Sequence, residues 1–263
     1  MLTDHIDDEL LDAAGPQLRV VANFAVGFDN VDVPACTRRG VIVSNTPDVL
    51  TQATAELAIA LLLALVRRVA EGDRLVRRGE EWIWAPNMML GRGLAGLTLG
   101  LVGHGRIAQA VERLADAHGM EVIYTSRTGG IPLDELLERS DAVSLHLPLS
   151  AETHHLIDER ALGMMKPSAV LVNTSRGPIV DEGALARSLA EKRIAGAGLD
   201  VFEREPEVTE ELLRLENVVL TPHLGSATLE TREAMGMLCV GALRAVLLEN
   251  RAPANALNPE ALA

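Results

Sequence analysis

Residues 97–116, LTLGLVGHGRIAQAVERLAD, constrain this chain more than any other stretch. They open on an apolar run, Leu99-Gly100-Leu101-Val102, of the length of a buried strand. The chain then turns through Gly103-His104-Gly105-Arg106-Ile107-Ala108 and enters a helical pattern at Ala110, Val111 and Leu114. Strand, G-x-G-x-x-A turn and helix together form the fingerprint of a dinucleotide-binding unit. The first glycine permits the tight turn. The second lets backbone approach a pyrophosphate, whose charge meets the N–H groups at the helix N-terminus. The third position needs only a small residue, and Ala108 serves. The plain alternative is an ordinary glycine-rich βα turn, against which the helix and the next strand both count.

From this turn onward the rhythm is regular. Apolar runs recur at 99–102, 122–124, 142–147, 169–172, 197–201 and 218–220, with helical patterns between most of them. Continuous apolar strands alternating with helices mean a parallel sheet covered on both faces. The fold class expected is therefore α/β, with a doubly wound Rossmann cofactor domain. Upstream, residues 4–14 carry a short helical pattern closed by Gly15-Pro16, and 19–25 and 41–43 read as strands. Residues 51–69 read as one long helix, apolar on nearly all faces and hence buried, between domains or subunits. A polar helix is expected at 71–81, and an irregular connection runs from Trp82 to Gly96. Two of the six aromatic residues sit in that connection, which suggests that it covers something. A final helix spans 228–249. The domains expected are 56–228 for the cofactor, and 1–55 with 229–263 for a smaller α/β unit.

Composition removes several classes of function. The net charge of −13 argues against nucleic acid or an anionic membrane as partner. It also means that an anionic substrate would need a local cationic pocket. The longest apolar run, 57–66, is too short to span a bilayer. The start Met1-Leu2-Thr3-Asp4 lacks the apolar region of a signal peptide. Cys36 and Cys239 stand far apart without metal-ligand spacing and read as small buried hydrophobes in a reducing, cytoplasmic compartment. No metal site is expected.

In a parallel sheet, ligands bind beyond the carboxyl ends of the strands. After 122–124 comes Thr125-Ser126-Arg127-Thr128. A carboxylate there would grip the ribose 2′-OH of NAD; hydroxyls and a guanidinium suit the 2′-phosphate of NADP instead. NADP(H) is thus expected over NAD(H), the plain alternative being that Arg127 is a solvated loop charge. Arg176 follows the strand at 169–172, where its planar fork could hold a carboxylate. Asp200 and Glu205-Pro206 follow the next strand, and His223 the last. Each alone has a bland reading: a surface charge, a turn residue, a packed histidine. Three such groups after three successive strands beside a nicotinamide site point to catalysis.

These residues carry a resemblance. NFAVGFD at 23–29, NTPDVL at 45–50 with Thr54-Ala55-Glu56, Trp84-Ala85-Pro86, LGLVGHGRIA at 99–108, NTSRG at 173–177, GLDV at 198–201 with Glu205-Pro206, and PHLGS at 222–226 occur in this order over most of the chain. In them the chain resembles the D-isomer-specific 2-hydroxyacid dehydrogenases, on the side of the glyoxylate/hydroxypyruvate reductases. The resemblance implies a flavodoxin-like substrate domain beside the Rossmann domain. It implies that Arg176 clamps the substrate's carboxylate and 2-oxo oxygen. His223 would be the general acid, and Glu205 would pair with it and favour the imidazolium. Backbone N–H groups at Val26 and Gly27 would hold the substrate carboxylate. Gly103, His104, Gly105, Arg106 and Ile107 would cradle the pyrophosphate, and Ser126 and Arg127 would face the adenine ribose. Asp200 would bind the nicotinamide carboxamide, with Thr174 and Thr54 also at the cofactor. Trp82 and Trp84 fall in a segment that crosses to a partner subunit in related reductases, so a homodimer is expected. His146 gets no role.

The chain also departs from the family pattern. It begins inside the family's first domain, so the substrate domain is expected to be a partial sheet with an exposed edge. A second gap follows Arg127, where relatives carry a further helix and short strand and this chain has only Thr128-Gly129-Gly130-Ile131-Pro132 before residue 133. The activity expected is hydride transfer from NADPH to glyoxylate or hydroxypyruvate. The alternatives are an NAD-linked enzyme like phosphoglycerate dehydrogenase, a non-catalytic nucleotide-binding module, and an inactive fragment.

Overall fold

A computed structural model of the chain describes residues 4–79 and 81–262. Met1-Leu2-Thr3 of the acidic start, Glu80 of the expected polar helix and Ala263 of the tail lie outside the described residues. The first elements are α1 (Asp8–Ala14), β1 (Val20–Ala22), α2 (Val33–Arg38), β2 (Ile42–Ser44), α3 (Thr51–Val66) and α4 (Val69–Arg77). After an irregular stretch come β3 (Thr98–Val102), α5 (Arg106–Ala117), β4 (Glu121–Ser126), β5 (Gly129–Gly130), α6 (Leu133–Arg139), β6 (Ala142–Leu145), α7 (Glu159–Met164) and β7 (Val170–Asn173). The last are α8 (Glu182–Ala190), β8 (Gly196–Leu199), α9 (Glu210–Leu213), β9 (Val218–Leu220) and α10 (Leu229–Leu247). They form two compact units: one is Thr54–Gly225, the other the chain up to Ala53 together with everything from Ser226 on.

The larger unit is built on a seven-stranded sheet, ordered β5-β4-β3-β6-β7-β8-β9. All its pairs are parallel except β4 with β5. Side chains alternate across it, as a pleat requires. Leu99, Leu101, Ala142, Val170 and Val172 face one apolar cluster with α3 and α5. Val102, Val143, Leu145, Leu171, Ala197 and Leu199 face the other, with α6, α7 and α8. A sheet covered on both faces is what the continuous apolar runs require. All six runs read from the sequence are strands here, with bounds that differ by a few residues.

Beyond β4, where the sequence leaves little chain, the fold makes a hairpin. Thr125 pairs with Gly130 and Ser126 with Gly129, so β5 closes that edge in antiparallel sense. Nothing in Thr128-Gly129-Gly130 alternates, so periodicity does not announce this strand.

The expected helix at 51–69 ends earlier. The carbonyl of Val66 accepts from Arg92 N at 2.8 Å, which caps the last turn from outside the helix. Arg68 then takes a left-handed φ of 55°, and α4 starts afresh at Val69. The helix is nonetheless well buried, with Ala55, Ala58, Ile59, Leu61, Leu62 and Val66 in the core of this unit. The connection at 82–96 does not bury its aromatics against the chain's own core: Trp82, Ile83 and Trp84 are all exposed.

The smaller unit holds a two-stranded parallel sheet, β1 with β2, in register Val20 to Ile42. Helix α2, unmarked in the sequence pattern, opens on Asp32, whose carboxylate accepts from Ala35 N, and carries a proline in its first turn. The C-terminal tail is stitched to β2 by buried Asn258. Its amide oxygen accepts from Val43 N at 2.7 Å and its Nδ2 donates to Val41 O at 2.9 Å.

Candidate active site

The strand ends of the larger unit collect most of the residues that the sequence singles out. At the end of β3, Gly103 has φ +91°, and a side chain there would collide with the carbonyl of His146, 2.4 Å away. Glycine is therefore required. Gly105 is the N-cap of α5 and offers no side-chain cap, and a Cβ on it would meet nothing within 4 Å. The turn thus presents an open helix N-terminus, the feature an anionic pyrophosphate needs. Ala108 is fully buried against the sheet. The side chain of His104 turns away from this role. Its ring stacks on Tyr124 at 3.8 Å, and its Nε2 meets Glu112 Oε2 at 2.7 Å.

At the end of β4, Ser126 Oγ donates to Gly129 O at 3.0 Å and accepts from Thr128 N, holding the turn of the hairpin. Arg127 is exposed on that turn. At the end of β6, the ring of His146 meets Ser144 Oγ at 2.9 Å. Burial of the ring lowers its pKa to about 4, so it is neutral near pH 7.

At the end of β7, buried Asn173 shapes the loop that carries Arg176. Its Nδ2 donates to Arg176 O at 2.9 Å while its Oδ1 accepts from Ser175 N at 3.0 Å. Ser175 Oγ in turn donates to Leu145 O at 2.6 Å, tying the loop to β6. Thr174 Oγ1 is enclosed without a hydrogen-bond partner among the described residues. Gly177 lies against the next loop, so close that a Cβ would fall 1.9 Å from the carbonyl carbon of Phe202.

At the end of β8, Asp200 is fully buried and spans the loop after β9. Its Oδ1 accepts from Thr221 Oγ1 and Leu224 N, both at 2.6 Å, and its Oδ2 from Gly225 N at 2.8 Å. Its carbonyl accepts from His223 N at 2.9 Å. Burial pushes its carboxyl pKa up in spite of these donors. Thr54 Oγ1 fastens the same loop by donating to Gly225 O at 3.0 Å.

That clamp holds His223 in a left-handed backbone, φ +54°. Such a conformation costs a non-glycine residue on the order of 1–3 kcal/mol and persists only where its surroundings over-determine it. The imidazole Nδ1 meets Glu205 Oε2 at 2.8 Å. Glu205 is fixed at its other oxygen by Phe202 N at 3.1 Å. Burial opposes the charge on Glu205, but the His223 hydrogen bond, the nearby charges of His223 and Arg176 and the Phe202 N–H together hold its pKa below the usual carboxylate value. Arg176, Glu205 and His223 are therefore electrostatically coupled in one place. A carboxylate on Nδ1 fixes the ring and leaves Nε2, which bonds to none of the described residues, to meet a ligand.

Val26 and Gly27 belong to the smaller unit, in the loop after β1. Asn45 Nδ2 donates to Val26 O at 2.9 Å, and Asn23 Nδ2 to Gly27 O at 2.7 Å. Sequence reasoning assigns no individual part to Asn173, Gly177, Asn23 or Asn45. Asparagine at the end of an apolar strand is the available signal for Asn173. The others become visible only when distant segments meet.

Comparison with known proteins supplies an independent line. Residues 59–225 match the family described as D-isomer specific 2-hydroxyacid dehydrogenase, NAD binding domain. The glyoxylate reductase of Thermococcus litoralis is 50% identical over the whole chain and 83% of its own length. That of Pyrococcus furiosus is 53% identical over 90% of the chain and 75% of its own. Among solved structures, a protein of Thermus thermophilus superposes with a TM-score of 0.92 at 48% identity, covering 97% of this chain and 84% of that one. The NADPH-dependent glyoxylate/hydroxypyruvate reductase of Sinorhizobium meliloti, in complex with NADP and malonate, gives 0.86 at 38% identity, with coverage of 97% and 83%.

Proposed function

The chain belongs to the D-isomer specific 2-hydroxyacid dehydrogenases, a family of oxidoreductases, and from that premise we propose that it reduces glyoxylate or hydroxypyruvate with NADPH. The observation that carries this reading is the Glu205–His223 contact of 2.8 Å, coupled to the charge of Arg176. In this reading Arg176 grips the carboxylate and the 2-oxo oxygen of the substrate. His223, protonated on both nitrogens, donates the Nε2 proton to that oxygen as the C=O π bond opens, and Glu205 keeps Nδ1–H in place. The N–H groups at Val26 and Gly27 take the substrate carboxylate. These donors and cations supply the local positive field that a chain of net charge −13 needs for an anionic substrate.

The open turn over α5 and the missing cap at Gly105 fit a pyrophosphate. Gly103, His104, Gly105, Arg106 and Ile107 would hold it through backbone, and Thr174 Oγ1, which meets no described partner, suits the nicotinamide side. Asp200 Oδ2 accepts one N–H and retains a lone pair for a carboxamide, while Thr54 acts through Gly225. When bound, the reduced cofactor supplies the hydride that arrives at C2. Ser126 and Arg127, with no acid among Thr125-Ser126-Arg127-Thr128, favour a 2′-phosphate.

The test is a panel of 2-oxo acids with NADPH and NADH. Faster turnover with NADH overturns the cofactor assignment, and no turnover of either substrate overturns the reaction. His223→Ala should lower kcat by about 100-fold or more with NADPH binding retained; an unchanged kcat removes His223 from the mechanism. The partner we propose is a second copy, seated on Trp82, Ile83 and Trp84, of which the last two are 84% and 77% exposed.

A further inference from the structure

The loop after β1 contains more than the two N–H groups assigned to it. Three successive carbonyls in it are each held from within the smaller unit. Ala25 O accepts from Thr46 N at 2.9 Å, Val26 O from Asn45 Nδ2 at 2.9 Å and Gly27 O from Asn23 Nδ2 at 2.7 Å. In a trans peptide the N–H of the next residue points opposite to the carbonyl. Fixing those three oxygens therefore fixes the N–H groups of Val26, Gly27 and Phe28. None of these three N–H groups donates to any described residue. Val26 and Gly27 are half-buried and Phe28 is exposed, so these N–H groups are open to water or to a ligand. Asn23 and Asn45 are both buried, at 8% exposure.

We propose that Asn23 and Asn45 are positioning residues that hold a row of three backbone N–H groups, with Phe28 as the third, for the substrate's carboxylate. The proposal rests on the reading that this loop binds that carboxylate. Carboxylates bind well to successive backbone N–H groups held in one concave row. The two asparagines do not touch the substrate; they set the angle of the peptide planes that do. Asparagine is suited to the task because its amide donates to a carbonyl without bringing a charge beside the anion.

The experiment uses the whole chain saturated with NADP+, titrated with oxalate, a planar unreactive mimic of glyoxylate, and followed by backbone amide NMR. Asn45→Asp replaces a donor by an acceptor in nearly the same volume, and Asn45→Ser and Asn23→Ser shorten the donor without adding charge. The amides of Val26, Gly27 and Phe28 should shift in the wild type. The variants should raise the oxalate Kd and the glyoxylate KM by about tenfold. A carboxylate held equally in ground and transition states puts the loss in substrate KM rather than in kcat. The NADPH KM should not move, which separates positioning from general damage to the fold. Amides that shift in the wild type, with oxalate affinity unchanged in all folded variants, overturn the role of the asparagines. Amides that do not shift overturn the assignment of the loop to the carboxylate. A rise in NADPH KM as large as that in glyoxylate KM also overturns the proposal.

Discussion

Gly177→Ala tests whether the site depends on the packing of two loops against each other. The residue follows Arg176, and the loop it touches leads to Glu205. A methyl at 177 would lie 1.9 Å from the carbonyl carbon of Phe202, 2.0 Å from its oxygen and 2.4 Å from Glu203 N. All three are backbone atoms, so no side chain can rotate away. Bringing the closest contact to 3.0 Å requires the loops to part by at least 1.1 Å. Overpacking of this kind costs about 1–3 kcal/mol. The larger effect falls on geometry. Phe202 N is the donor that fixes Glu205, so moving Phe202 moves the carboxylate that orients His223, while Arg176 moves the other way. A misplacement of about 1 Å among reacting groups is worth on the order of 100-fold in rate. Steady-state kinetics with glyoxylate and NADPH should show kcat/KM down by about that factor, with secondary structure by circular dichroism preserved. Gly163→Ala is the control: it lies in α7 with open space around it and should be neutral or slightly stabilising. A folded Gly177→Ala variant with kcat/KM within about threefold of wild type would refute the reasoning, because loops parted by that distance would then be harmless.

Two further outcomes follow from the same structure. His146 is neutral when folded, with a pKa of about 4 against an ordinary 6.5, so the unfolded chain binds the extra proton between those values. Stability must fall as pH drops through that window, by about 3 kcal/mol in all. His146→Gln should flatten this part of the pH–stability curve, and an NMR titration showing the wild-type ring protonating near pH 6.5 would sink the explanation. Replacing both Trp82 and Trp84 by Ser should shift sedimentation equilibrium toward the mass of a single chain; a variant assembling like wild type would remove this segment from the interface.

Most of the larger unit is legible in the sequence because its strands are buried on both faces and so read as uninterrupted apolar runs. Positions just beyond those runs then nominate Arg176, Asp200, Glu205 and His223 as candidates. Features of another kind escape. The helix break at Arg68 depends on Arg92 donating to Val66 O, a contact 26 residues apart that no local pattern encodes. Strand β5 is two glycines, which carry no periodicity at all. Trp82 and Trp84 read as a cover because aromatics are scarce in this chain, yet both are exposed. Scarcity shows that a residue is unusual, not which surface it meets.

The buried polar residues explain how the loops that carry the proposed catalytic groups stay fixed. Asp200 reads from the sequence as a cofactor ligand, and its first partners are Thr221, Leu224 and Gly225. Asn173 lies one strand away and does the same for the loop of Arg176. Each is a short polar side chain at the last position of a buried strand, or just beyond it, accepting from or donating to the backbone of the loop that carries a proposed catalytic group. Hydrogen bonds to a buried charge are worth about 1.5–3 kcal/mol each. The three on Asp200 tie the chain on both sides of His223, at Thr221 and at Leu224 and Gly225, to the end of β8. An apolar residue at 200 would leave those donors unmet and release His223 from φ +54°, with the Glu205 contact intact only by chance. The proposed site is thus a set of strand-end anchors first and a set of candidate reacting groups second. Sequence nominates the second set by residue type, whereas the first emerges only from knowing which loops share an anchor.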